Sequence, residues 1–66
     1  MLIWINGEQR ALDQVRDVAG LVAALSLDPR KVAVERNLEI VPRSTYAATP
    51  VAEGDRFEIV HFIGGG

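Results

Sequence analysis

The segment Leu2-Ile3-Trp4-Ile5 runs straight into Asn6-Gly7. An Asn-Gly pair after a β-branched and aromatic run is the strongest short-range hairpin signal, because both residues tolerate the positive φ of a type I′ turn. The chain therefore starts as two antiparallel strands, the second over about Glu8 to Leu12, with Ala11 or Leu12 marking its apolar side. Asp17 then reads as a helix N-cap, its carboxylate accepting from free N–H groups of the first turn. Val18, Leu21, Val22 and Leu25 follow at i, i+3, i+4 and i+7, one apolar stripe on a helix of about eight to ten residues. The opposite face, Ala19, Gly20, Ala23 and Ala24, has no charge. It reads first as good helix-forming composition and second as a contact surface. Asp28-Pro29 is expected to end the helix, since proline disfavours the helical region for the residue before it.

Beyond the helix the period returns to two. Lys31 to Arg36 reads as a strand with Val32 and Val34 on one face. Asn37-Leu38 turns, Glu39-Ile40-Val41 returns, and Pro42 stops the return. Arg43 to Thr49 is a turn-rich connection anchored by partial burial of Tyr46, Glu53-Gly54-Asp55 is a tight turn, and Arg56 to Ile63 is the last and longest strand. The economical arrangement is an α+β, β-grasp (ubiquitin-like) fold: a mixed sheet of about four to five strands, one main helix packed on one face, and the last strand parallel beside the first. The domain is expected over residues 1–63, with 64–66 as a flexible C-terminal tail.

Composition narrows the function. A chain of 66 residues has room for one small domain. Chains of this size bury roughly 60% of their unfolded surface and have little space for a pocket. Without cysteine there is no disulfide, thiolate metal site or cysteine nucleophile, which fits a reducing cytoplasm. His61 is the only histidine, which makes a metal site improbable. A net charge of -2 with no basic stripe argues against nucleic acid as a partner. Val18 to Leu27, the longest weakly polar run, falls well short of the ~20 residues of a membrane span, and the N-terminus lacks a signal-peptide pattern. No catalytic triad or phosphate-cradling loop is present. The chain reads as a substrate or binding module, with no resident cofactor or metal, and not as a free-standing enzyme.

Two features point to what it binds. If Ile3, Ile5, Val32, Val34, Phe57 and Ile59 face the helix, then Trp4, Ala33, Val60 and Phe62 lie on the uncovered face, because residues two apart on a strand share a side. An exposed cluster with Trp and Phe reads as a docking surface, and Trp is enriched among binding hot spots. The opposite register would bury the same residues. The second feature is the end, Phe62-Ile63-Gly64-Gly65-Gly66. Three glycines make a narrow, flexible finger tipped by the α-carboxylate of Gly66. Chain ends rich in glycine are also often idle. His61 reads as a packing residue, and Arg36 and Arg43 as solvated charge ahead of partner contacts.

The tail Val60 to Gly66, the central Val32-Ala33-Val34-Glu35-Arg36-Asn37, the segment Glu39 to Arg43 and the turn Gly54-Asp55-Arg56 together resemble the thiamine-biosynthesis sulfur carriers, the ThiS family. The resemblance spans the whole chain. Leu38 departs from it, standing where the hairpin turn often carries glycine, and the three terminal glycines exceed the two that the family requires. The resemblance implies a cycle on Gly66. An E1-like adenylyltransferase (ThiF type) activates the carboxylate with ATP and Mg²⁺. Sulfur from a cysteine desulfurase converts it to a thiocarboxylate, and thiazole synthase (ThiG type) takes the sulfur. Gly64 and Gly65 would thread the partner's active site, and Trp4, Val60 and Phe62 would dock. The alternatives are the sulfur carrier of molybdopterin synthesis, a ubiquitin-like protein modifier and a β-grasp interaction domain.

Overall fold

In the computed structural model, which describes residues 1–62, Asn6 and Gly7 both take positive φ, 50° and 81°. They join β1 (Leu2–Ile5) to β2 (Glu8–Ala11) as an antiparallel hairpin with Trp4 opposite Gln9 and Ile5 opposite Glu8. Leu12 lies just past β2, half-buried against the core. The helix α1 (Val18–Ala24) starts at Asp17, whose Oδ1 accepts from the Gly20 N–H at 2.7 Å.

α1 ends before Asp28-Pro29. The Ser26 N–H donates to the Ala23 carbonyl and the Leu27 N–H to the Val22 carbonyl, with Ser26 at φ 60°. That pattern is a Schellman C-cap, with serine in the left-handed position that glycine usually fills. Leu27 then packs against the core. Asp28-Pro29 instead opens a short 3₁₀ segment, Pro29–Lys31.

β3 (Val32–Arg36) and β4 (Glu39–Val41) pair antiparallel around Asn37-Leu38, and β5 (Arg56–His61) lies between β3 and β1. The sheet is five-stranded in the order β2-β1-β5-β3-β4, with β5 parallel to β1 and antiparallel to β3. This is the β-grasp arrangement. A second 3₁₀ segment, Arg43–Ala48, packs beside α1 and buries Tyr46 to 5% exposure, more than the partial burial expected.

Between sheet and helix lies one apolar cluster containing Ile3, Ile5, Val32, Val34, Phe57 and Ile59 from the strands and Val18, Leu21 and Val22 from α1. The face assignment read from the sequence holds for all six strand residues. The described end of the chain is fixed firmly: the Phe62 N–H donates to the Lys31 carbonyl at 2.7 Å. The glycine tail 64–66 and the last residue assigned to the final strand, Ile63, lie outside the described residues.

Candidate docking face and the tail exit

The face of the sheet turned away from α1 collects the other side chains of each strand. Val60 is 61% exposed and Ile40 77% exposed, with Phe62 and Leu2 also open to solvent. Across the sheet, Ala33 stands opposite Val60 and Ile40 opposite Glu35. Trp4 is half-buried, because the guanidinium of Arg56, its register partner on β5, sits 4.8 Å from the ring centroid. A cation over an indole face is attracted by the ring quadrupole. Beside this pair is an open hollow of about 320 Å³ bordered by Trp4, Leu38, Arg56 and Glu58. Trp4 and Val60 thus lie on the sheet face turned away from α1, with Arg56 and Glu58 between them along β5, and Phe62 follows just past the strand, open to solvent. A surface of this kind in a small chain is a binding surface more often than an accident of composition.

The strand that carries the tail is clamped from both sides. The β1–β5 ladder spans two register pairs, Trp4 with Arg56 and Ile5 with Phe57. The Asn6 side chain then continues it: its amide donates to the Ile59 carbonyl at 3.1 Å, and its Oδ1 accepts from the Ile59 N–H at 2.8 Å. Asn6 therefore makes the turn and also pairs with β5 as a backbone unit would. Sequence reasoning assigned it only the turn; the second role depends on which strand lies beside it.

A second clamp was missed for the same reason. Asp55 is buried, accepting from Arg36 Nε at 2.9 Å, from Asn37 Nδ2 at 3.1 Å and from the Ala52 N–H at 2.8 Å. Burial pushes the Asp55 carboxyl up, but the bonds from Ala52, Asn37 and Arg36 outweigh it and hold the group below the usual carboxylate range. Arg36, expected to be a solvated charge, is instead half-buried in this ion pair. Its position at the end of β3 puts it over the turn that launches β5. Arg43 is exposed and donates to the Arg30 carbonyl. His61 is exposed and not packed, although it shares the parity of the core face and stands opposite the buried Val32 of β3.

Leu38 is the least expected residue of the face. It and Asn37 take φ of 71° and 51°, and Leu38 is 88% exposed. The type I′ geometry survives without glycine, at the steric cost of a Cβ in the left-handed region. Among the described residues no group of three or more His, Asp or Glu could hold a metal, and no helix is long and apolar enough to cross a membrane.

The strand order and the single helix on one face define a β-grasp domain of the ubiquitin-like class. The model of the ThiS family matches residues 3–66, and the chain belongs to that family. It is 56% identical over its whole length to a thiazole synthase of Paramagnetospirillum magneticum and 47% identical to one of Magnetococcus marinus. In both cases it spans 20% of the relative's length, so it corresponds to a fifth of those polypeptides. It is also 41% identical over 49 residues to the sulfur carrier protein ThiS of Bacillus subtilis, covering 74% of each chain. Among solved structures, the crystal structure of the thiamine biosynthesis protein ThiS from Geobacter metallireducens superposes with a TM-score of 0.84 at 35% identity, covering 100% of both chains.

Proposed function

We propose that this chain is a sulfur carrier for thiazole formation in thiamine biosynthesis, and that the sulfur rides on the α-carbonyl of Gly66. A carboxylate is a poor acyl donor, because its charge repels nucleophiles and its leaving group would be oxide. A partner adenylyltransferase of the E1 type overcomes this with ATP and Mg²⁺, forming an acyl-adenylate and releasing pyrophosphate. The terminal sulfur of a persulfide, drawn from cysteine by a desulfurase, attacks the acyl carbon and AMP leaves. A thiol then cleaves the S–S bond, leaving the Gly66 thiocarboxylate. Thiazole synthase accepts this sulfur, and the carrier returns to carboxylate. The chain itself is a co-substrate and performs no catalysis.

The observation that carries this reading is the family match running through residue 66, so that the glycine tail is part of the likeness. The geometry adds a physical reason. Threading a tail into an active site costs conformational entropy, which contacts elsewhere must offset. The face carrying Trp4, Val60 and Phe62 has the composition to provide them. Gly64 and Gly65 need no side chain if they pass through a narrow channel to the nucleotide.

The test is the intact mass of the chain after co-expression with the cognate adenylyltransferase and a sulfur source. The expected result is a gain equal to the difference between sulfur and oxygen. An unchanged mass under active adenylation contradicts the carrier reading, and adducts on lysines of other proteins mark a modifier instead.

A further inference from the structure

On the uncovered face the register places Glu35 of β3 directly opposite Glu58 of β5. Like charges directly opposed on antiparallel strands destabilise the sheet. Among the described residues neither carboxylate belongs to an ion pair; those pairs join Arg30 to Asp28 and Arg36 to Asp55. The remaining charge among the strand residues of this face, Arg56, lies over Trp4. The two carboxylates are framed by apolar side chains, Ile40 opposite Glu35 on one side and Val60 two residues beyond Glu58 on the other. Glu58 also borders the hollow of about 320 Å³, whose other walls include Trp4 and Leu38.

An apolar frame around two unneutralised carboxylates suits a side chain with a long aliphatic stem and a planar cationic head. Arginine buries its methylenes along apolar surface and binds carboxylates through a fixed fork of donors. We propose that the Glu35–Glu58 pair receives an arginine of thiazole synthase when the chain docks. The proposal rests on the carrier reading above. Thiazole synthase is the occupant because the two relatives aligned over the whole chain are thiazole synthases, so in them this face and that enzyme share one polypeptide. Among its strand residues the face carries two negative charges against one positive, and a basic group complements them. The repulsion is present in the free chain and relieved only in the complex, so these residues add affinity and selectivity without adding stability.

The test titrates the wild-type chain and a Glu35→Gln/Glu58→Gln variant into the cognate thiazole synthase by calorimetry at low and high salt. Thermal melts, and intact masses after co-expression with the adenylyltransferase, accompany it. The variant is expected to melt no lower than wild type, to keep its thiocarboxylate mass, and to bind thiazole synthase about tenfold more weakly with a flatter salt dependence. Equal affinities with the mass gain intact in both chains overturn the proposal and leave the carrier reading standing. Loss of the mass gain with unchanged thiazole synthase affinity moves the site to the adenylyltransferase and also overturns it. A wild-type chain that never gains the mass removes the carrier reading, and this proposal with it.

Discussion

β5 has two sides of opposite fate, Phe57 and Ile59 on one and Arg56, Glu58 and Val60 on the other. Phe57 and Ile59 lie under the helix, with Phe57 1% exposed, while Val60, one residue further along, is 61% exposed. Both sides could bury surface at about 25 cal/mol per Å². α1 is short and covers one side of the sheet. Burial on the inner side has been realised within the chain, and burial on the outer side is still available to a partner. A domain of this size has a net stability on the order of 3–5 kcal/mol, so the inner side has little to spare. The outer side can be altered with small effect on folding.

This contrast can be broken at several points. The largest effect is expected from Phe57→Ala: deleting a buried phenyl costs about 3–5 kcal/mol, comparable with the whole stability, so circular dichroism should show a chain largely unfolded at room temperature. Asp55→Ala comes next. It leaves Arg36, Asn37 and the Ala52 N–H without their acceptor, for a loss of about 2 kcal/mol in urea denaturation. The pH dependence follows from the lowered Asp55 carboxyl. Its contribution is complete above the unfolded-state carboxylate pKa and is lost as pH falls through the lower folded value, so the variant should show a shallower acid limb of stability than wild type. Leu38→Gly is the smallest of the three and has the opposite sign. Relief of a left-handed Leu, about 1–2 kcal/mol, is offset by the extra chain entropy of glycine, about 0.5–1 kcal/mol, so the melting temperature should rise slightly. If Leu38 contributes to docking, the same change weakens partner affinity while the fold gains.

Much of this division could be read in the chain itself, because it depends on local signals. The Asn6-Gly7 turn, the Asp17 cap, the Val18-Leu21-Val22 stripe and the two-residue alternation of β5 each need only their immediate neighbours, and together they leave few other architectures. The misreadings have separate causes. Ser26 occupies a C-cap position that glycine normally marks, so the helix ended where no signal announced it. Asn6 binding Ile59 and Asp55 binding Arg36 link residues 53 and 19 positions apart, and such pairs become visible only once β5 is placed between β1 and β3. His61 followed the core parity and still emerged exposed, since alternation sets the side of the sheet but not the depth of burial along it. The uncovered face itself was legible, as the complement of the stripe that α1 could cover.

The central claim is that the outer face serves partner enzymes and not the fold. Val60→Asp tests it most directly, in one sample with two readings: the thermal melt, and the intact mass after co-expression with adenylyltransferase and sulfur source. The account predicts a stability within about 0.5 kcal/mol of wild type together with a sharply reduced yield of the Gly66 thiocarboxylate. A collapsed melt, or a normal melt with undiminished thiocarboxylate, would contradict it.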